Sequence, residues 1–323
     1  MADFQSTQNN IETIYILCDK GKIGTLRQCE AITCRLKKYF NCHVTVIDVD
    51  LPFYLSIIPA FLSRYLPLSL FSLSKQIINP KKSFLIAGGH QSTIIAAPLA
   101  KYSPTVVLLN PKCPSSYFKA VIVPRHDQIS TKNKNVIETT GTLHPHNADS
   151  FKIQSGKSDS YTISVLLGGN SKHYIFKDHD YIKIGKYLKE KSKKNKNLQI
   201  LVSPSRRSQK QGVDLIKKEL YRINATFWDG TGDNPYFEYL SQANEILVTA
   251  DSISMISEAC YLGKPVEIWP LPIKNNRLLR FYENLIQEKN AVFASQKWPD
   301  SFIPLRECER VFPLLINIHK LAT

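Results

Sequence analysis

The amino-acid sequence predicts an α/β protein of two domains, each a parallel sheet covered by helices. Apolar runs rich in β-branched residues alternate with amphipathic stretches through both halves of the chain. The two halves open alike, with a strand, a glycine-bearing turn and a helix pattern. A length of 323 residues is also about twice the usual single domain, so two domains of roughly 150 residues each are expected.

IETIYILCD (11–19) reads as the first strand and ends in Asp-Lys-Gly. A helical pattern follows from Thr25 to Tyr39, then a second strand, HVTVIDVD (43–50). Residues 51–73, LPFYLSIIPAFLSRYLPLSLFSL, are strongly apolar, but Pro52, Pro59, Pro67 and Arg64 interrupt the roughly 20 apolar residues that a spanning helix needs. Short helices packed inside the fold and a patch that dips into a membrane both suit this segment. SFLIAGG (83–89), followed by a helix, and TVVLLN (105–110), AVIVP (120–124) and NVIETT (135–140) continue the series as strands buried on both faces. The polar, turn-rich stretch 144–160 marks a domain boundary, giving a first domain of 1–150 and a second of 151–303. The second domain repeats the scheme with YTISVLLGG (161–169), a basic helix near 179–196, LQILVSPS (198–205), a helix near 210–221 and ATFWDG (225–230). A short helix near 235–243, EILVTAD (245–251), a helix near 252–262 and PVEIWPL (265–271) follow. Residues 304–323 are expected to form a last helix that returns to the first domain.

With 43% hydrophobic and 21% charged residues, the chain can bury a sizeable core and is not a disordered one. Seven cysteines, an odd number without CxxC spacing, fit reduced thiols. A net charge of +15, shared between both halves, favours anionic partners and gives no basic arm for nucleic acid. The opening MADFQSTQNN lacks the basic and apolar regions of a secretory signal, so a cytoplasmic protein, at most peripheral on the inner face of a membrane, is expected.

Open parallel sheets bind ligands beyond the carboxyl ends of their strands, so the turns there hold the candidate residues. Gly168-Gly169-Asn170-Ser171-Lys172 follows a strand and offers a close backbone approach, a hydroxyl and a charge to a phosphate, although it matches neither GxGxxG nor GxxxxGK[ST]. Ser205-Arg206-Arg207, again at a strand end, offers guanidiniums to a diphosphate. Asp251 is placed to cap the helix near 252–262, and Ser254 and Glu258 share one face of it, where a carboxylate could accept hydrogen bonds from ribose hydroxyls. Asn234 and Tyr236 stand in a Gly-Asp-Asn-Pro-Tyr loop between these motifs. In the first half, Asp19 and Gly24 flank the first turn, Gly89-His90 ends a later strand, and His126-Asp127 supplies groups able to take a proton at neutral pH. Each of these also has a purely structural reading, as a tight turn, a helix cap or a packed polar pair. His144 and His146 lack a third ligand, so no metal is expected.

The segments DKGKIGTLRQ (19–28), VIVPRHD (121–127), NVIETTGTLH (135–144), LLGGNSKHYIF (166–176), SPSRRS (203–208) and GDNPYFEYLSQANEILVTADSISMISEACYLGKPVEIW (232–269) together resemble the Elm-type family. That family is named for a plant mitochondrial-fission factor, and its bacterial members are regarded as glycosyltransferases of the GT-B fold. The resemblance runs in order over residues 14–270 and is most specific in NPY and VTADSISMISEA. It implies two Rossmann-like domains facing a central cleft, with a nucleotide-sugar held by the C-terminal domain and an acceptor by the N-terminal one. Glu258 then resembles the residue that binds the donor ribose, while Gly168, Gly169, Ser171, Arg206 and Ser252 surround the diphosphate. Asn170, Ser205, Asn234, Tyr236, Asp251 and Ser254 complete the donor set, and Gly24, Gly89 and His90 form the acceptor side. Where family members often carry Gly-Arg-Arg, this chain has Gly89-His90-Gln91, which removes the basic side chains an anion would meet.

The implied activity is a metal-independent, cofactor-free inverting transfer of a sugar to a membrane-associated or lipid-linked acceptor, such as a lipopolysaccharide or lipooligosaccharide core precursor. Asp127 or His126 would take the proton of the acceptor hydroxyl, with Asp19 in reserve. Two other readings stand beside it: a non-catalytic adaptor of the fission type, and a nucleotide-sugar epimerase on the same fold.

Overall fold

A computed structural model describes residues 11–77, 79–130, 132–146, 160–171, 174–272 and 274–320; Lys172 and most of the 144–160 segment lie outside them. The chain divides into two compact units, Met1–Pro145 with Arg306–Thr323, and His146–Leu305.

In the first unit, β1 (Thr13–Asp19), β2 (His43–Val49), β3 (Ser83–Gly88), β4 (Thr105–Leu108), β5 (Ala120–Pro124) and β6 (Val136–Thr139) form one parallel sheet in the order β2-β1-β3-β4-β5-β6. Because side chains alternate along a strand, Ile14, Ile16, Phe84 and Ile86 enter one core while Tyr15, Leu17, Leu85 and Ala87 enter another on the opposite face. Helix α1 (Ile23–Phe40) buries Cys29, Ile32, Leu36 and Phe40 at helical spacing and stops at Asn41, whose φ of 52° breaks the helix. The apolar segment breaks into two one-turn helices, α2 (Phe53–Ser56) and α3 (Ala60–Ser63), each started by a proline, and short 3-10 turns. Leu55, Ala60 and Phe71 of this segment pack into the second core, as expected of short helices inside the fold, while Phe53, Tyr54 and Tyr65 stay exposed. Helix α4 (His90–Leu99) is buried from Ser92 to Leu99.

In the second unit, β7 (Tyr161–Leu167), β8 (Leu198–Pro204), β9 (Ala225–Phe227), β10 (Glu245–Thr249), β11 (Val266–Trp269) and β12 (Val292–Phe293) form a second parallel sheet in the order β12-β11-β10-β7-β8-β9. Helices α5 (Asp178–Lys194), α6 (Lys210–Glu219), α7 (Tyr236–Gln242), α8 (Ile253–Ala259) and α9 (Asn276–Gln287) join the strands. The last helix, α10 (Glu307–Lys320), belongs to the first unit and packs on α1 through Val311, Leu315 and Ile316. Two strand expectations shorten: 225–230 pairs only through Phe227, and 245–251 ends at Thr249, which leaves Ala250 and Asp251 in the turn before α8. The sequence reading placed nothing at α9 or β12, although Leu278, Phe281, Tyr282 and Leu285 carry the helical spacing.

Candidate functional site

A parallel sheet opens a crevice where its strand order reverses, beyond the carboxyl ends of the strands. In the second unit that point lies between β7, which leads on to β8 and β9, and β10, which leads away to β11 and β12. The turn after β7 is Gly168-Gly169, and the turn after β10 holds Asp251.

Asp251 does not cap α8. Ser252 does, its hydroxyl accepting from the Met255 amide at 3.4 Å. The Asp251 carboxylate is fully buried and faces the neighbouring strand end instead, accepting from Thr249 Oγ1 at 2.7 Å, the Gly169 amide at 3.2 Å and the Arg207 guanidinium at 2.8 Å. Burial pushes its pKa up against those partners. Both glycines are required by this packing. A Cβ on Gly168 would lie 1.9 Å from Asp251 Oδ1, and one on Gly169 would lie 1.9 Å from the Arg207 carbonyl oxygen.

The turn after β8 is cross-linked to the same place. Ser208 Oγ donates toward the Leu167 and Gly168 carbonyls, Ser205 is held at its amide and hydroxyl by Ser208, and Arg207 also reaches the Asn170 carbonyl. Asn170 accepts from the Phe176 amide, and the Ser171 hydroxyl accepts from the Tyr174 amide. Ser205, Asn170 and Ser171 are therefore engaged in building the turns. Of the two adjacent arginines, Arg207 is drawn to Asp251, while Arg206 is exposed and has no partner among the described residues.

The Gly-Asp-Asn-Pro-Tyr loop has a mechanical role. The Asn234 side chain accepts from the Tyr236 amide at 3.0 Å and starts α7, and the Tyr236 hydroxyl donates to Glu258 Oε2 at 2.7 Å. Burial and the Glu258 carboxylate push the Tyr236 hydroxyl well above its ordinary pKa, which keeps it a donor. Thus the two halves of the most specific motif meet: Tyr236 orients the half-buried carboxylate of Glu258 on α8, one turn beyond the exposed Ser254.

The first unit repeats the arrangement at its own order reversal, between β1 and β3. The Asp19 carboxylate, at the end of β1, accepts from the amides of Gln91 at 3.3 Å and Ser92 at 2.8 Å and from the Ser92 hydroxyl at 2.7 Å. It occupies the amino end of α4, the place an incoming anion would take, and so anchors that helix. Gly89, at φ +119°, sits where a Cβ would lie 2.4 Å from that carboxylate. His90 is exposed at the first position of α4, and the departure residue Gln91 accepts from the Leu51 amide at 2.7 Å. Gly24 lies exposed in the first turn of α1, with open space around it. His126 and Asp127 follow β5 directly with 3.8 Å between Nε2 and Oδ1, but the His126 side chain is 3% exposed and Asp127 12%. Among the described residues no group of three or more His, Cys, Asp or Glu is placed to hold a metal. Thr249, Arg207 and Ser208 carry more of this architecture than the sequence reading assigned them.

Residues 23–315 match the family model described as Mitochondrial fission ELM1. An uncharacterized protein of Rickettsia prowazekii is 26% identical over 358 residues, covering 94% of this chain and 99% of its own. The mitochondrial fission protein ELM1 of Arabidopsis thaliana is 51% identical over 41 residues, 13% of this chain and 10% of that protein. Among solved structures, MurG of Acinetobacter baumannii superposes with a TM-score of 0.50 at 12% identity, covering 95% of this chain and 93% of that one. A UDP-GlcNAc 2-epimerase of Methanocaldococcus jannaschii, in complex with UDP-GlcNAc and UDP, gives a TM-score of 0.50 at 14% identity, covering 95% and 100%. These likenesses are of fold, two Rossmann-like units of the GT-B type. With the family model matching nearly the whole length, the chain belongs to the Mitochondrial fission ELM1 family.

Proposed function

We propose that the second unit binds a nucleotide-sugar and that the protein transfers the sugar, with inversion, to a lipid-linked acceptor. The observation that carries the reading is the Tyr236–Glu258 hydrogen bond, which fixes a carboxylate on α8, beside the crevice end of β10, where ribose hydroxyls can donate to it. Arg206, exposed and unpartnered among the described residues, is the cation for the diphosphate. In the transfer, the acceptor oxygen bonds to the anomeric carbon as the bond to the diphosphate breaks. Asp127 takes the acceptor proton, and the diphosphate leaves with the electron pair, its charge met by Arg206 and the Ser252-capped end of α8.

An adaptor without catalysis is the second reading. It is favoured by the packing of Gly168 and Gly169 against Asp251 and Arg207, which explains both glycines with no phosphate present. Thermal melting in the presence of UDP-, GDP-, CMP- and dTDP-sugars separates the two. One nucleotide class that raises Tm in the wild type and fails to do so in Glu258→Ala supports the donor site. No response to any of them sinks it in favour of the adaptor, and conversion of the sugar without an acceptor turns it into an epimerase. Loss of transfer in Asp127→Asn with donor binding intact checks the base, and full activity in that variant rejects it.

A further inference from the structure

We infer that the Phe53–Tyr65 face of the first unit docks on an anionic phospholipid surface, lying in its interface without crossing it. The inference supplies the surface on which a lipid-linked acceptor would be met, yet it stands on exposure and charge alone, so nucleotide binding and lipid binding fail separately.

The burial pattern on and just after the two one-turn helices repeats with an offset of eight residues. Phe53, Tyr54 and Ile57 correspond to Phe61, Leu62 and Tyr65, and all six are exposed, from 47% at Phe61 and Leu62 to 79% at Phe53. Between them, Leu55 and Ser63 also correspond, and both are buried. Each helix therefore points one side into the core and lifts a pair of large apolar side chains, with a third one turn on, away from it. The exposed set cannot simply turn inward, because the backbone is pinned. Arg64 donates to the Tyr117 carbonyl at 3.0 Å with its guanidinium 4.6 Å from that ring, the Tyr117 hydroxyl donates to the Phe61 carbonyl at 3.2 Å, and the Leu51 amide is held by Gln91. A preformed surface of this kind docks with little loss of conformational freedom.

Aromatic and aliphatic tips held at a surface suit the boundary between headgroups and acyl chains, where tyrosine keeps its hydroxyl in water. Among the described residues no helix is long and apolar enough to cross a membrane, so the contact is in the plane of the interface. Charge decides the occupant. Between Asp50, which pairs with Lys20, and Asp127 the sequence has no Asp or Glu and eight Lys and Arg, of which Lys75, Lys81, Lys82, Lys101, Lys112 and Arg125 are exposed. An anionic leaflet complements that stretch, whereas a second copy would bring two such basic stretches together with no acid within either.

The test is co-sedimentation of the full chain with vesicles of phosphatidylcholine alone and of phosphatidylcholine and phosphatidylglycerol in equal parts. The wild type is expected to partition into the mixed vesicles, less at high salt. Phe53→Ser/Tyr54→Ser/Ile57→Ser should lower partitioning on the order of a thousandfold, since each of the three inserted side chains supplies about a factor of ten. These side chains lie outside the core, so the melting temperature should hold, and Phe61→Ser/Tyr65→Ser serves as a second variant should the first fail to fold. Tyr54→Trp should gain blue-shifted emission on the mixed vesicles only. Equal binding to neutral vesicles, undiminished binding of both serine variants, or absence of vesicle binding would each overturn the inference. A concentration-dependent dimer abolished by the same substitutions would overturn it in favour of self-association.

Discussion

Adjacent residues of one type can have opposite roles, and Arg206 and Arg207 are the case here. Nothing local distinguishes them in SPSRRS; the difference is a buried carboxylate 44 positions on, which draws in Arg207 and leaves Arg206 to solvent. The same contact converts Gly168 from a residue that admits a phosphate into one that admits Asp251. Gly168→Ala is therefore expected to lower the unfolding free energy by about 2–4 kcal/mol, since a Cβ and a buried carboxylate cannot share that space. Arg206→Ala should change stability by no more than about 0.5 kcal/mol while weakening nucleotide binding. Urea unfolding of both variants, with and without ligand, checks the pair. A Gly168→Ala protein as stable as wild type would remove Asp251 from its assigned place. The sequence made the glycine turn and Glu258 visible as types at strand ends, but long-range partners such as Asp251 for Arg207 left no mark within either motif.

Elements were legible where their residues repeat a pattern and illegible where packing chose between equal options. The strands YTISVLL and SFLIAG announce themselves because both faces are buried, so every position is apolar or small. The segment 51–73 is apolar on both sides, and only the structure separates Leu55, which packs, from Tyr54, which does not. A different device joins β10, β11 and α5, and it titrates. Glu245 and Glu267, 3% and 2% exposed, share the single ammonium of Lys191, with Tyr187 and Trp298 donating to Glu267. Burial, with the Glu267 charge adding to it, raises Glu245 from the ordinary 4.5 to about 6, even with Lys191 beside it. Between those two pH values the folded chain keeps a proton that the unfolded chain has lost. This site's contribution therefore falls as pH rises from about 4.5 to 6, by about 2 kcal/mol in all, and the cost stands in full above that range. Glu245→Gln should remove that slope. Denaturant unfolding of both proteins from pH 4.5 to 6.5 gives the difference directly, and a difference that stays flat with pH would show that Glu245 titrates normally.

On the scale of the whole chain, the first unit is built from both ends of the sequence and the second from its middle. Each has its own pair of cores, one on either face of its sheet, and the clusters share no residue across the division. The first unit is closed by α10: Glu307 accepts from the amides of Thr140 at 2.5 Å and Gly141 at 3.2 Å and from Arg310, while Val311 and Leu315 are completely buried beside Ile32 and Leu36 of α1. A helix that follows the second unit in the sequence thus completes a core whose other members lie far upstream. Leu315→Ala leaves a cavity against α1 and should cost about 3 kcal/mol. The loss should be local to the unit that owns the cavity. Hydrogen exchange followed by mass spectrometry is expected to show faster opening of peptides from β1, α1 and β3, with those from β7, β8 and β10 unchanged. Uniform acceleration across both sets would mean that the two units unfold as one, and the division read from their cores would then have no thermodynamic counterpart.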